Sequence, residues 1–485
     1  MMKRLVPHLK RVWMAILFLS LSFANAFGDS TSGAWSEVMA WNDVPIHASL
    51  LPTGEVLTWS GNSESSIAIW NPKTNTFMSV STPGFNSFCA GHTFLPDGRL
   101  FVAGGNEAFD PGENLEGVKN SSIFNPWDLT WTQVPDMSYK RWYPSTTTMS
   151  TGEILVLTGR ITQGTGGYGE SYADIPEVYN WKTNLWRKLT GAKMTLPVYY
   201  PHTYQAPNGQ AFYAQPATSS YYLSITNNGK WTKFATTKTK RDFGTGAMYD
   251  IGKVIVIGGR NGNTIYRSAE IINLATSERS RTSPQWTYTG SMGCQRVFLN
   301  STILPDGKVL VTGGIKVLNF DPVPNQDVCF SAEMWDPATG KFTTMASMTE
   351  PRWYHSVALL LPDGTVLVGG GNEHPTAEIY SPPYLFKGTR PTINTYPTVA
   401  QYGQKFNITT SNPTDITRVT FLGLGSVTHG YNQSQRYMTL SYSRTSTGFT
   451  LTAPSSKNNA PPGYYLLFVL NKSGVPSEGK IIQLM

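Results

Sequence analysis

Arg352-Trp353-Tyr354-His355-Ser356 sets a phenol and an imidazole side by side, just ahead of the β-rich run Leu361-Pro362-Asp363-Gly364-Thr365-Val366-Leu367-Val368. Neighbouring oxygen and nitrogen donors of this kind can hold a transition metal. The chain has three cysteines, Cys89, Cys294 and Cys329. Cys294 and Cys329 flank one segment and could staple it as a disulfide, a pairing the sequence leaves open and one that would leave Cys89 over. A free thiol in an oxidising compartment is itself oxidised unless something claims it. His429 sits in the polar stretch Gly425 to Arg436 between two strand-like runs, where functional residues tend to reside. His47, His92 and His202 read as structural or channel-lining groups without evident partners, and His374 as a solvated loop residue.

These side chains need a frame, and the frame is a repeat. A turn dipeptide x-Gly followed by an apolar β-rich run recurs at Thr53-Gly54, Asp97-Gly98, Thr151-Gly152, Asn208-Gly209, Ile251-Gly252, Asp306-Gly307 and Asp363-Gly364. A further strand and an aromatic residue follow, as in Ala68-Ile69-Trp70-Asn71-Pro72 to Phe77 and Ala332-Glu333-Met334-Trp335-Asp336-Pro337 to Phe342. The spacing suits a four-stranded blade and lies near the ~50 residues of a kelch repeat. Seven copies predict an all-β, seven-bladed kelch-type β-propeller over residues 27–388. Beyond it, short alternating strands with Gly, Pro and Asn turns predict an immunoglobulin-like sandwich over residues 389–485. Its strands are expected at Lys405 to Thr410, Arg418 to Leu422, Met438 to Tyr442, Gly448 to Ala453 and Tyr464 to Asn471.

The repeat also gives a register. Nine residues before the turn glycine stand Cys89, Tyr143, Tyr200, Phe243, Phe298 and His355; the first blade has Pro45 there, with His47 seven before. If the blades are equivalent, these residues share one level near the axis. Cys89 and Tyr143 then sit in adjacent blades, a thiol beside a phenol, with Tyr354 and His355 across the same channel. Polar plugs lining a wet channel are the alternative at such positions.

Composition bounds the partners. Lys3, Arg4, Lys10 and Arg11, the apolar run Val12 to Phe23 and Ala24-Asn25-Ala26 form the three parts of a secretory signal peptide, residues 1–26. The apolar run is short of the ~20 residues a spanning helix needs, so stable membrane insertion is not expected and secretion is. Losing those four basic residues takes the formal charge of +7 down to about +3. No Lys/Arg run offers a phosphate footprint, which argues against nucleic acid.

At these residues the chain resembles the copper radical oxidases, the family of galactose oxidase and glyoxal oxidase. Phe88-Cys89-Ala90-Gly91 is similar to the family's cysteine motif, and Arg141-Trp142-Tyr143-Pro144-Ser145 to its cross-linked tyrosine motif. Arg352 to Ser356 is similar to its axial tyrosine and first histidine, and Thr428-His429 through Gln435-Arg436 to the loop supplying its second histidine. Pro461-Pro462-Gly463-Tyr464 to Pro476-Ser477 is similar to the end of its C-terminal, early set domain. The resemblance implies one copper ion held by Tyr143, His355 and His429, with Tyr354 axial. It implies a thioether between Cys89 and Tyr143 that serves as a radical cofactor, and Tyr354 as general base. A primary alcohol or small aldehyde, free or carbohydrate, would be oxidised by O2 with release of hydrogen peroxide, by a monomer.

One departure stands out. Galactose oxidase stacks a tryptophan over its thioether, whereas the loop Arg160 to Tyr172 has none; Tyr168 or Tyr222 is the expected substitute. With the first blade starting soon after the signal segment, the N-terminal carbohydrate-binding module of some relatives is not expected, and Arg-Trp-Tyr-Pro is closer to the glyoxal oxidase branch. The competing reading is a non-catalytic propeller that binds glycans or cell-envelope partners. A sialidase-like hydrolase would need an acidic pair and an arginine cluster, and neither is evident.

Overall fold

The computed structural model describes residues 29–485 apart from 62–65, 108–115, 163–168, 275–283, 319–321 and 373. The expected signal segment 1–26 lies outside them. Among the described residues no helix is long and apolar enough to cross a membrane.

Each x-Gly dipeptide turns the innermost strand of a blade back into its second strand. In four of the seven turns the residue before the glycine is Asp or Asn and accepts the amide two positions on: Asp97 from Arg99 (3.2 Å), Asn208 from Gln210 (3.0 Å), Asp306 from Lys308 (3.2 Å) and Asp363 from Thr365 (2.9 Å). This is the Asx turn that makes these residues favourable there. Gly98 is at φ +90°, and a Cβ on it would come within 2.6 Å of the Tyr464 ring, so the turn requires glycine twice over.

Among the described residues the apolar runs after the turns give seven antiparallel sheets, five of them four-stranded, with the first widened to six strands and the last to five. The second, for example, runs Gly91–Phe94, Leu100–Ala103, Ser121–Asn125 and Thr130–Val134. The two inner strands are buried throughout, while the outermost alternates between partial and full exposure. That gradient is what radial stacking of sheets imposes. The first blade starts at His47–Leu50 and the last at Ser356–Leu360, and these two inner strands pack together and close the ring. Ala34–Trp35 and Met39–Ala40 pair with Thr376–Ser381, so the N-terminal segment supplies the outer strand of the final blade.

Four blades share a buried ion pair: Arg141–Glu177, Arg241–Glu270, Arg296–Glu333 and Arg352–Glu378. Each arginine also donates to a carbonyl of the Gly-Gly-type corner, at Thr158, Gly258, Gly313 and Gly370. A buried charge is tolerated when its partners satisfy it in this way. The pairs fix the chain two residues before the axial position at Tyr143, Phe243 and Phe298, and three residues before it at His355.

The C-terminal region forms two sheets around a core that includes Ile408, Val419, Phe421, Phe449, Leu467 and Ile482. One run expected as a single strand, Met438 to Tyr442, is two: Tyr437–Thr439 pairs with Ile416–Gly423 and Tyr442–Arg444 with Gly448–Thr452. The chain crosses between sheets at Leu440-Ser441, which alternation of side chains alone does not mark. A hairpin, Ser426–Thr428 and Tyr431–Asn432, leaves the sandwich and adds to the inner edge of the first blade, pairing His47 with Thr428 and Ser49 with Ser426.

Candidate metal centre

All six residues of the axial register are left-handed, with φ of 57° at Cys89, 61° at Tyr143, 44° at Tyr200, 56° at Phe243, 57° at Phe298 and 65° at His355. Non-glycine residues avoid this region, at a cost of roughly 1–2 kcal/mol each. Backbone bonds between blades offset it: Tyr143 N donates to Cys89 O (3.1 Å), Tyr200 N to Tyr143 O (3.0 Å) and Phe298 N to Phe243 O (2.9 Å). A Cβ on Gly370 would come within 2.5 Å of the His355 carbonyl oxygen, so that corner admits only glycine beside His355. The first blade offers Pro45 at the register position. His429, also left-handed at φ 49°, comes in on the hairpin next to that blade.

Five of the singled-out side chains converge. The Tyr143 and Tyr354 hydroxyls are 2.7 Å apart. The rings of His355 and His429 meet edge to face at 4.8 Å, Tyr354 lies 4.0 Å from His355, and Tyr143 and Tyr354 lie 5.4 and 5.2 Å from His429. The Cys89 thiol is 3.4 Å from His429 Nε2 and interacts directly with the Tyr143 phenol. Among the described residues, Cys89, His355 and His429 are the one group of three such donors within 4.8 Å of one another.

The donor set fits a transition metal. His355 Nε2 is buried with no hydrogen-bond partner, while its ring is held by Asn372. Thr428 Oγ1 donates to Ile46 O (2.9 Å), so it accepts from His429 Nδ1 (2.6 Å) and leaves Nε2 with a free lone pair. A second partner that fixes the ring tautomer is the usual device behind a ligating histidine. Two imidazole nitrogens and two phenol oxygens with no carboxylate suit Cu(II) better than a hard cation.

Burial holds the apoprotein site uncharged. It pushes the Cys89 thiol up to about 12 and raises both Tyr143 and Tyr354, with Cys89 beside each phenol adding to the effect. It lowers His355 to about 3 and His429 well below its usual value, with His355 next to His429 contributing. Cys89 at neutral pH is therefore a thiol, not a thiolate ligand. Cys294 and Cys329 are joined in a disulfide, and Cys89 is the free, buried cysteine.

Several residues go beyond or against the sequence expectation. Tyr199 stacks with the Tyr143 ring (4.5 Å between centroids, 23° between planes), as does Trp142 (4.8 Å, 21°). Arg160 donates to the Tyr199 hydroxyl (2.9 Å) and pairs with Glu170, its guanidinium 4.1 Å from the Trp142 ring. Tyr222, one expected stacking residue, packs on Phe212 and Phe234 within the fourth blade, because its strand is the third of that sheet and points away from the axis. Tyr168, the other, lies outside the described residues. His374 is not simply solvated: it is half-buried against the Trp353 edge, with Nδ1 3.3 Å from Glu350. His202 stacks on Tyr431 (4.1 Å) and meets Gln215, and His47 pairs with His92, partners that lie too far away in sequence to be read there. Tyr143, Tyr199, Phe243, Phe298, Trp353, Tyr354 and His429 line one cavity that opens beside the converged donors.

Comparison with known proteins gives matches along nearly the whole chain. Residues 65–386 match the family described as glyoxal oxidase N-terminus, and residues 390–484 the galactose oxidase-like early set domain. A galactose oxidase of Gibberella zeae is 28% identical, the alignment covering 93% of this chain and 70% of that protein. Aldehyde oxidase GLOX of Vitis pseudoreticulata is 26% identical, covering 90% and 89%. The solved structure of a fungal alcohol oxidase of the AA5 family, in complex with copper, superposes with a TM-score of 0.83 at 26% identity, covering 94% of this chain and all of that one.

Proposed function

The chain belongs to the family of the glyoxal oxidase N-terminal and galactose oxidase-like early set domains, and from that premise we propose that it is a secreted copper radical oxidase whose centre is Tyr143, Tyr354, His355 and His429 with Cys89 linked to Tyr143. The observation that carries this is the convergence of two phenols 2.7 Å apart with two neutral imidazoles, one bearing an orphaned buried nitrogen, beside a free buried thiol. Its relatives are named oxidases, which weighs against the non-catalytic glycan binder. The substrate is a primary alcohol or small aldehyde and the acceptor is O2.

His355 Nε2 and His429 Nε2 would hold the ion, with the oxygens of Tyr143 and Tyr354 completing the set. Copper, when bound, acidifies a substrate hydroxyl and takes up one of the two electrons of the oxidation. Tyr354 accepts the hydroxyl proton, because its oxygen faces the same point as Tyr143 and a cation nearby reverses the burial that keeps the phenol protonated. The sulfur-substituted Tyr143 is more easily oxidised than plain tyrosine and takes the carbon-bound hydrogen. Stacking of Tyr199 and Trp142 and the burial of Cys89 keep water from that ring. Dioxygen receives two electrons and two protons and leaves as hydrogen peroxide.

Cys89→Ser, Tyr143→Phe and His429→Ala are each expected to abolish copper-dependent peroxide release while the protein stays folded, measured with a coupled peroxidase assay across alcohols and aldehydes and by circular dichroism. Full activity in Cys89→Ser would overturn the radical assignment.

A further inference from the structure

We propose that His47 and His92 form a neutral, one-directional hydrogen-bond relay that positions Cys89 for its bond to Tyr143, a role that rests on the reading of Cys89 and Tyr143 given above. Both histidines are fully buried, and His47 lies flat on the Trp59 indole, 4.6 Å away at 5°.

The proton positions follow from the contacts. The Cys89 backbone N–H donates to His47 Nε2 (3.1 Å). A backbone amide can only donate, so His47 carries its proton on Nδ1. That nitrogen is 3.0 Å from His92 Nε2, which must therefore accept, placing the His92 proton on Nδ1. His92 Nδ1 in turn faces Ser426 Oγ at 2.5 Å and Ser49 Oγ at 3.3 Å. The Ser426 hydroxyl passes its own hydrogen to the His92 carbonyl (3.1 Å) or to Ser49 (2.9 Å). A protonated His47 would set N–H against N–H at the Cys89 contact, so only neutral rings satisfy every link.

The relay ties together three pieces that the site needs in one place. His47 and Ser49 belong to the first blade's inner strand, Cys89 and His92 to the second blade, and Ser426 to the hairpin that carries His429. The Cys89 peptide groups are held from both sides, the N–H by His47 and the carbonyl by the Tyr143 N–H. Rotation about the side chain alone is then left to bring the sulfur to the Tyr143 ring. In the linking step the Cys89 S–H bond and one Tyr143 ring C–H bond ortho to the hydroxyl break, and an S–C bond forms. The two electrons and two protons released reduce O2 to hydrogen peroxide. Without its acceptor the Cys89 amide is left buried and unpaired, and the left-handed turn loses the contact that offsets its strain.

His47→Phe keeps a flat ring on Trp59 and removes the acceptor, whereas His47→Gln restores one near the Nε2 position. Each protein is purified copper-free, titrated with Cu(II) for stoichiometry, then followed under air by peptide mass spectrometry. His47→Phe is expected to form the thioether about tenfold or more slowly than wild type while still binding one copper, as loss of a supporting partner does at other metal centres. His47→Gln is expected to recover most of the rate. In the copper-free wild type, 15N-histidine NMR is expected to show His47 and His92 neutral and protonated on Nδ1, a readout that stands if His47→Phe does not fold. Wild-type linking rates in His47→Phe, or a proton on His47 Nε2, would overturn the relay. A wild-type chain that binds copper and never links would overturn the reading of Cys89 itself, and the wild-type control tells the two failures apart.

Discussion

At the scale of single residues, the ring proposed to bear the radical is set by its neighbours as much as by the proposed metal ligands. Tyr199 stacks with Tyr143, and its hydroxyl is held by Arg160, itself paired with Glu170. Tyr199→Leu removes the stacked ring and is expected to lower peroxide turnover by about two- to tenfold and to shorten the lifetime of the oxidised Tyr143 band in the optical spectrum, since aromatic contacts of this kind are worth about 0.5–1.5 kcal/mol beyond packing and also exclude water. Tyr199→Phe keeps the ring and should keep most of both. The signal for Tyr199 was present in the sequence: it stands ten residues before the turn glycine of its blade, the position that Tyr354 holds in the last blade and Trp142 in the third. Cys89, Tyr143 and His355 were legible because the repeat sets them one place further on, where the chain goes left-handed in six of the seven blades. The lack of a tryptophan in the loop Arg160 to Tyr172 pointed instead to Tyr168 in that loop or to Tyr222 beyond it.

At the scale of elements, the blades provide three of the four proposed metal ligands, Tyr143, Tyr354 and His355, and the hairpin provides the fourth, His429. Seven x-Gly turns, each followed by an apolar run, made the propeller legible from local spacing. The placement of His429 was not, because the hairpin pairs with a strand almost 380 positions earlier, Thr428 against His47, and no local pattern encodes that. Only the resemblance of Thr428-His429 to a known motif pointed to it. Thr428 is the residue that makes this insertion precise in its chemistry: one hydroxyl donates to Ile46 O and accepts from His429 Nδ1. Thr428→Val keeps the shape and removes both bonds. It is expected to weaken copper binding by about tenfold or more, measured by competition with a chelator, with little change in the unfolding midpoint of the copper-free protein relative to that loss.

At the scale of the whole molecule, five histidines lie near the axis, His47, His92 and His202 buried and His355 and His429 half-buried, and desolvation lowers all of them: His92, His202 and His355 to about 3, His47 and His429 well below the ordinary value. In the unfolded chain they take up protons near pH 6.5. The folded chain does not until much lower pH, so the unfolded state binds more protons in between and stability rises with pH there. The stability these neutral rings contribute is present above about pH 6.5 and drains away as pH falls toward about 3. The copper-free protein is expected to melt several degrees lower at pH 5 than at pH 7, by differential scanning calorimetry, and replacing His92 with an uncharged residue of similar size should flatten that dependence. Strand content and blade number were legible at this scale, while the closure of the ring by Ala34–Trp35 and Met39–Ala40 on the last blade was not, since strands of two residues carry no period. The central claim is that the odd cysteine is part of the catalyst. Peptide mass spectrometry of the mature protein after loading with Cu(II) in air tests it most directly. The account predicts a peptide pair joined through Cys89 and Tyr143 and lighter by two hydrogens than its separate parts; a free Cys89 thiol after copper and oxygen would contradict it.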